Sequence, residues 1–189
     1  MSTALPPPMD LEAFLAWENR QELRYEFDGF APLAMTGGTV EQAIIQRNLV
    51  TALTNRLRGK PCQAFGSELK IAVAGSIRYP DAFVVCSPIA RGSLVVEDPV
   101  VVFEILSAPT AATDRIVQNR EYRATPSILR YVLLEQTRPA ATVFTREGAD
   151  WLGRLADADA VLAMPELGIE LPLATLYDGI EFPDPTADD

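Results

Sequence analysis

The sequence contains no histidine among its 189 residues. That absence removes Ser-His-Asp and Cys-His catalysis and every zinc site that uses an imidazole. Lysine is almost as scarce, with Lys60 and Lys70 the only two. Cysteine is limited to Cys62 and Cys86, which lack metal-ligand spacing and read as small core hydrophobes. Long apolar runs are missing as well: a segment such as Pro99–Phe103 falls far short of the ~20 residues that cross a bilayer. No basic segment precedes an apolar stretch near the N-terminus, so no secretory signal is read, and a cytoplasmic location without membrane partners is expected. Chemistry therefore falls to carboxylates, amides, hydroxyls, arginine and two lysines.

What is present describes a globular chain. The sequence is 48% hydrophobic and 22% charged, which excludes disorder and collagen-like structure. The length suits one domain, expected over residues 10–182, between a proline-rich lead at 1–9 and an acidic tail at 183–189. Against 26 acidic residues stand 16 basic ones, a net charge of −10. A protein that coats nucleic acid is normally basic, because its affinity comes from released counterions. The charge leaves room for an enzyme that meets DNA through a bound divalent cation or a local basic patch.

Asp10 is a suitable N-cap for a helix over Leu11–Trp17, where Leu11, Phe14 and Leu15 recur at helical spacing. Leu23–Phe27 and Ala31–Met35 read as a hairpin about Asp28-Gly29. Thr39 caps the longest predicted helix, whose Ile45, Leu49, Leu53 and Leu57 form one stripe before Gly59 and Pro61 end it. Strands follow at 62–65, 69–73 and 82–86, the last two joined by a turn at Gly75-Ser76. Val100–Leu106 is nearly continuous and β-branched, as in a strand buried on both faces. A helix from about Ala111 to Arg123 stops at Pro126, and Leu129–Leu134 and Ala141–Thr145 are the last strong strands. From Trp151 onward only short strand candidates remain. The pattern predicts a mixed α+β (α/β) fold, a central mixed sheet flanked by helices.

A carboxylate inside an apolar strand is the anomaly that points to chemistry, since an unpaired buried charge costs several kcal/mol. Glu104 sits between Phe103 and Ile105, and Asp81 follows Pro80 at the start of a strand. Each has a plain alternative: Asp81 as a strand-start cap, Glu104 as a carboxylate buried against an arginine such as Arg115. On adjacent strands the two suit Mg²⁺, which takes oxygen ligands and keeps several waters. Gly37-Gly38 and Ser107–Thr110 read as a freed turn and a helix cap. Trp17, Phe144 and Trp151 read as core or interface.

Tyr25–Gly29, Tyr79–Cys86, Phe103–Ser107, Thr113–Arg115 and Tyr122–Ser127, in that order, resemble the Uma2 family of restriction-type endonucleases with a PD-(D/E)xK core. The resemblance runs from about Asp10 to Tyr177. It implies a restriction-endonuclease-like fold, a Mg²⁺ (or Mn²⁺) cofactor, DNA as substrate and Asp81 and Glu104 as metal ligands. The acid of the family's Tyr-Glu motif falls on Glu26, which would complete the metal shell or else face solvent as an ordinary strand residue. At two positions the chain departs from the family: a histidine near the start of the long helix is replaced by Gln42, and a lysine after Glu104 by Gln118. Glutamine hydrogen-bonds a phosphate or water but supplies neither positive charge nor a transferable proton. Lys70, if a hairpin at Gly75-Ser76 sets it opposite Asp81, would supply the missing cation, with Arg115 and Arg120 as further candidates.

Three readings follow. One is a Mg²⁺-dependent endonuclease in which Asp81, Glu104, Gln118, Gln42 and Lys70 carry catalysis, as a homodimer by analogy with enzymes that cut two strands. Another is a nuclease-fold protein without catalysis that works as a binding or dimerisation module. The third is a metalloenzyme acting on some other substrate.

Overall fold

The computed structural model describes residues 8–35, 37–106 and 112–182, with side chains from 116 onward in the last segment. In chain order the elements are α1 (Leu11–Glu18), β1 (Tyr25–Phe27), β2 (Pro32–Ala34), α2 (Val40–Leu57), β3 (Gln63–Gly66), β4 (Lys70–Val73), β5 (Ser76–Arg78) and β6 (Ala82–Val85). They continue with β7 (Val95–Val96), β8 (Pro99–Leu106), α3 (Ala112–Ala124), β9 (Arg130–Glu135), β10 (Ala141–Glu147), β11 (Asp150–Ala156), β12 (Val161–Met164) and β13 (Ile169–Pro172), followed by a 3₁₀ turn at Leu173–Tyr177. The fold is mixed α+β, as the sequence predicts. The acidic tail, Ser107–Thr110, and the side chains of Thr113, Asp114 and Arg115 lie outside the described residues.

The central layer is a six-stranded sheet in the order β11-β10-β9-β8-β6-β3. It is mixed because β8 and β9 run parallel, joined by α3, while the other neighbours are antiparallel. The period-two alternation of β8 divides its side chains between two cores. Val101, Phe103 and Ile105 pack with Ile45, Leu49, Leu53 and Leu57 of α2. Val102 faces the other way, with Tyr122 of α3 and Tyr131. Helix α2 thus covers one face and α3 the other. Each fully buried aliphatic side chain of the α2 stripe is worth about 2 kcal/mol of transfer free energy.

Both N-terminal helices are capped as the sequence predicts, Asp10 accepting from the Ala13 N–H at 2.8 Å and Thr39 from that of Gln42 at 3.3 Å. At the far end of α3, Arg146 donates to the carbonyls of Arg123 and Thr125 at 3.0 and 2.8 Å. A cation there satisfies orphan carbonyls and the negative end of the helix dipole.

A second sheet, β2-β1-β5-β4-β7, was not foreseen. The turn at Ala74-Gly75, where φ is +46° and +87°, folds β4 back onto β5 and not onto β6. Tyr79-Pro80 then carries the chain from one sheet to the other, since proline has no N–H to continue a ladder. Strand β11 also exceeds the short candidate read from the sequence, pairing with β10 along all seven residues.

The two cysteines are a correction. Cys62 and Cys86 form a disulfide and are not free core thiols. Gln63 pairs with Val85 across β3 and β6, so the next pair outward in the register is Cys62 with Cys86. The link closes a loop of 24 residues. The C62S/C86S double variant should lose about 3 kcal/mol of stability by restoring loop entropy to the unfolded chain, which urea unfolding under non-reducing conditions measures. No helix among the described residues is long and apolar enough to cross a membrane.

Candidate metal site in the inter-sheet cleft

The antiparallel register of β6 with β8, which pairs Ala82 with Phe103, continues one step to set Asp81 opposite Glu104. Residues directly opposite in such a ladder share a face. Asp81 is held from two sides: its Oδ1 accepts from Gln42 Nε2 at 3.0 Å and its Oδ2 from the Ile105 N–H at 2.7 Å. Its carbonyl accepts from Gln46 Nε2 at 2.8 Å. Glu104 accepts from the Tyr122 hydroxyl at 2.6 Å. The arginine named as its alternative partner, Arg115, has its side chain outside the described residues.

Burial, first, and the neighbouring Asp81 charge, second, push the Glu104 carboxyl well above its usual range. Burial also raises Asp81, against the opposing hydrogen bonds from Ile105 and Gln42. Among the described residues no lysine or arginine bonds to either acid. Two carboxylates that repel each other in a low dielectric, with waters able to reach them, match the donor set of a hard divalent cation. Among the described residues there is no group of three His, Cys, Asp or Glu side chains arranged to share a metal. The fit is therefore to a two-carboxylate site with the remaining ligands left to water or substrate.

Glu26 stands close by but is otherwise engaged. Its oxygens accept from the Arg78 guanidinium and the Tyr79 N–H, both at 3.0 Å, and at 3.4 Å from Gln118 Nε2. It does not face solvent, and among the described residues it forms no three-acid group with Asp81 and Glu104. Arg78 also grips Glu121 through two bonds of 2.7 and 2.9 Å, and Glu121 accepts from Ser76 as well. Burial alone would lower the Arg78 pKa, but its hydrogen bonds to Glu121 and the charges of Glu26 and Glu121 raise it overall. This buried arginine fixes the floor of the cleft.

Lys70 does not reach the acids. Because β4 pairs with β5, its ammonium is buried and ion-paired with Glu18, whose other oxygen accepts from the Tyr79 hydroxyl at 2.8 Å. Gln42 and Gln118 do line the cleft, as expected for the positions of the absent histidine and lysine. The cleft measures about 780 Å³ and also takes in Arg24, Gly37, Gly38, Gln46 and Ser67. A Cβ on Gly38 would come within 2.4 Å of Gln42 Oε1, so the glycine leaves room for the side chain that holds Asp81. Arg120 lies outside the cleft on the exposed side of α3.

Sequence reasoning missed Arg78, Glu121, Gln46 and the role of Tyr122. Gln46 was accessible as the i+4 neighbour of Gln42. Arg78 carried only the weak signal of preceding Tyr79-Pro80-Asp81.

The arrangement of sheets and helices is shared with a crystal structure described as that of "a putative nuclease belonging to DUF820" from Anabaena variabilis. That match has a TM-score of 0.73 at 18% identity, covering 90% of this chain and 98% of that one. It establishes the fold class, a nuclease-like mixed sheet between helices. In sequence, the Uma2 family, described as "Putative restriction endonuclease", matches residues 11–174. The chain belongs to the Uma2 family. It is also 31% identical over 180 residues to slr1290 of Synechocystis sp., an uncharacterized protein, covering 93% of this chain and 95% of that one.

Two outcomes test the site's electrostatics. A carboxyl whose folded pKa lies above its unfolded value stabilises the fold below the unfolded pKa, near 4.5 for glutamate, and that contribution is lost as pH rises through the folded value. In EDTA, Glu104→Gln should therefore melt higher than the parent at pH ~8, with the gap closing toward pH ~5. Arg78→Met should destabilise by about 3–5 kcal/mol, because it leaves buried acids uncompensated. Adding Glu121→Gln should recover part of that loss in the same denaturation measurement.

Proposed function

We propose that this protein is a divalent-metal-dependent endonuclease that hydrolyses DNA phosphodiester bonds. The single observation that carries the reading is the Asp81–Glu104 pair, opposed in register at the cleft with no cation bonded to either acid among the described residues. Membership of a family described as "Putative restriction endonuclease" supports the choice of substrate.

Asp81 and Glu104 would hold Mg²⁺ or Mn²⁺, which supplies charge neutralisation at a phosphoryl oxygen and a more acidic water. The chain's own groups set the rest. Gln42 and the Ile105 amide fix the Asp81 carboxylate, leaving lone pairs on both oxygens. Tyr122 orients Glu104. Gln118, on the cleft wall beside Glu26, would donate an amide N–H to a phosphate oxygen.

A second reading, a nuclease-fold module with impaired catalysis, is favoured by the arginines of the cleft. The basic side chains described as lining it are Arg24 and Arg78, and each is ion-paired, to Glu68 and to Glu26 with Glu121 respectively. A cation that stabilises developing phosphoryl charge is worth several kcal/mol, and none is free there among the described residues.

One set of measurements separates the readings. Calorimetric titration with Mn²⁺ should show binding that Asp81→Asn and Glu104→Gln each abolish, and plasmid nicking with Mn²⁺ should disappear in the same variants. Gln118→Lys should raise nicking by about tenfold or more, as expected when a phosphate-facing charge is restored. Metal binding without nicking, in the parent and in Gln118→Lys alike, would establish the impaired module. Absence of metal binding would overturn the metal-dependent reading altogether.

A further inference from the structure

We propose that the open edge of β11 is a docking strand for a second copy of this chain, which adds its own β11 antiparallel in a register centred on Leu152. The inference stands apart from the catalytic reading, since β11 lies three strands from β8 in the central sheet.

Among the described residues β11 ends the strand order, paired on one side only, with β10, in an unbroken register from Ala141–Ala156 to Glu147–Asp150. A long edge presents a row of free N–H and C=O groups, and folded proteins usually blunt such edges with proline, lysine, bulges or brevity. β11 has no proline, lysine, bulge or brevity: it runs Asp-Trp-Leu-Gly-Arg-Leu-Ala over seven residues, and its charges, Asp150 and Arg154, are of opposite sign and can pair across a two-fold axis. The opposite edge, β3, has four residues and is tied to β6 by the disulfide. Leu152 is exposed on one face of β11, and Leu155, 86% exposed, on the other.

Charge selects the partner and the register. Two identical antiparallel strands meet about a two-fold axis, and like faces stay together only when that axis falls on a residue. Centring on Leu152 puts Asp150 opposite the second copy's Arg154 and Arg154 opposite its Asp150. On the other face Trp151 lies over Gly153, whose lack of a side chain follows from the Phe144 ring standing 3.1 Å from where a Cβ would be. Moving the centre to Trp151 or to Gly153 breaks both ion pairs. Two chains of net charge −10 repel each other, and this edge is a place where they meet with acid against base.

Sedimentation equilibrium across a wide concentration range tests the proposal. The parent should approach twice its 20.7 kDa mass as concentration rises. Asp150→Arg and Arg154→Asp should each weaken self-association by about tenfold or more, since each turns two attractive pairs into repulsive ones. The D150R/R154D double variant should restore it, and Leu152→Lys, which sets like charges on the axis, should abolish it. All three positions are exposed, and circular dichroism confirms that each variant remains folded. A chain that stays monomeric throughout, or a dimer indifferent to both single reversals, would overturn the proposal.

Discussion

The repulsion between Asp81 and Glu104 is the constraint around which the rest of the site is arranged. Opposed in the β6–β8 register, both carboxyls are raised first by burial, and the Asp81 charge raises Glu104 further. A fold gains nothing in stability from that arrangement, because ionised acids in a low dielectric oppose folding. It persists because other elements hold it. Gln42 arrives from α2, the Ile105 amide from β8 and the Tyr122 hydroxyl from α3. Each of those elements is fixed by a hydrophobic core on one face of the central sheet. Packing energy distributed over two cores therefore maintains a strained electrostatic feature at their shared end.

Much of this was legible in the sequence because it rests on local rules. The α2 stripe, the Asp10 and Thr39 caps, the β-branched run of β8 and the acid embedded in it each follow from spacing within a few residues. The place of Gln42 in the cleft followed too, since it precedes Ile45 on the inward side of the same helix, although its bond to Asp81 did not. What escaped depends on which strands become neighbours. The chain changes sheets at Tyr79-Pro80, so Lys70 pairs with Glu18 and not with the acids opposite. The Cys62–Cys86 link is likewise a consequence of β3 pairing with β6. Arg78 became interpretable only once β1 and β5 were seen as neighbours, which sets Glu26 beside it.

Arg78 also explains why a third acid can stand so near the first two without joining them. A guanidinium is always protonated and presents a rigid fork of donors. Here it divides those donors between Glu26 and Glu121, on a strand of the second sheet and on α3. That bond pattern ties the second sheet to the helix that crosses from β8 to β9. It makes the cleft floor a positioning device and engages the Glu26 oxygens, although the Glu26 charge still raises both Asp81 and Glu104.

Local charge then bears on the two glutamines. With all four acids ionised, Asp81, Glu104, Glu26 and Glu121 contribute four negative charges and Arg78 one positive charge, leaving three negative. A lysine at position 118 would reduce that deficit; glutamine leaves it standing. The deficit favours occupancy by a divalent cation and at the same time disfavours approach of a polyanion until the cation is present. On the proposed metal-dependent reading, metal binding and phosphate binding would thereby be coupled by charge, with the cation entering first. On that same reading a lysine at position 118 would relax the order, so the Gln118 departure would bear as much on when the cleft accepts a phosphate as on how fast it acts.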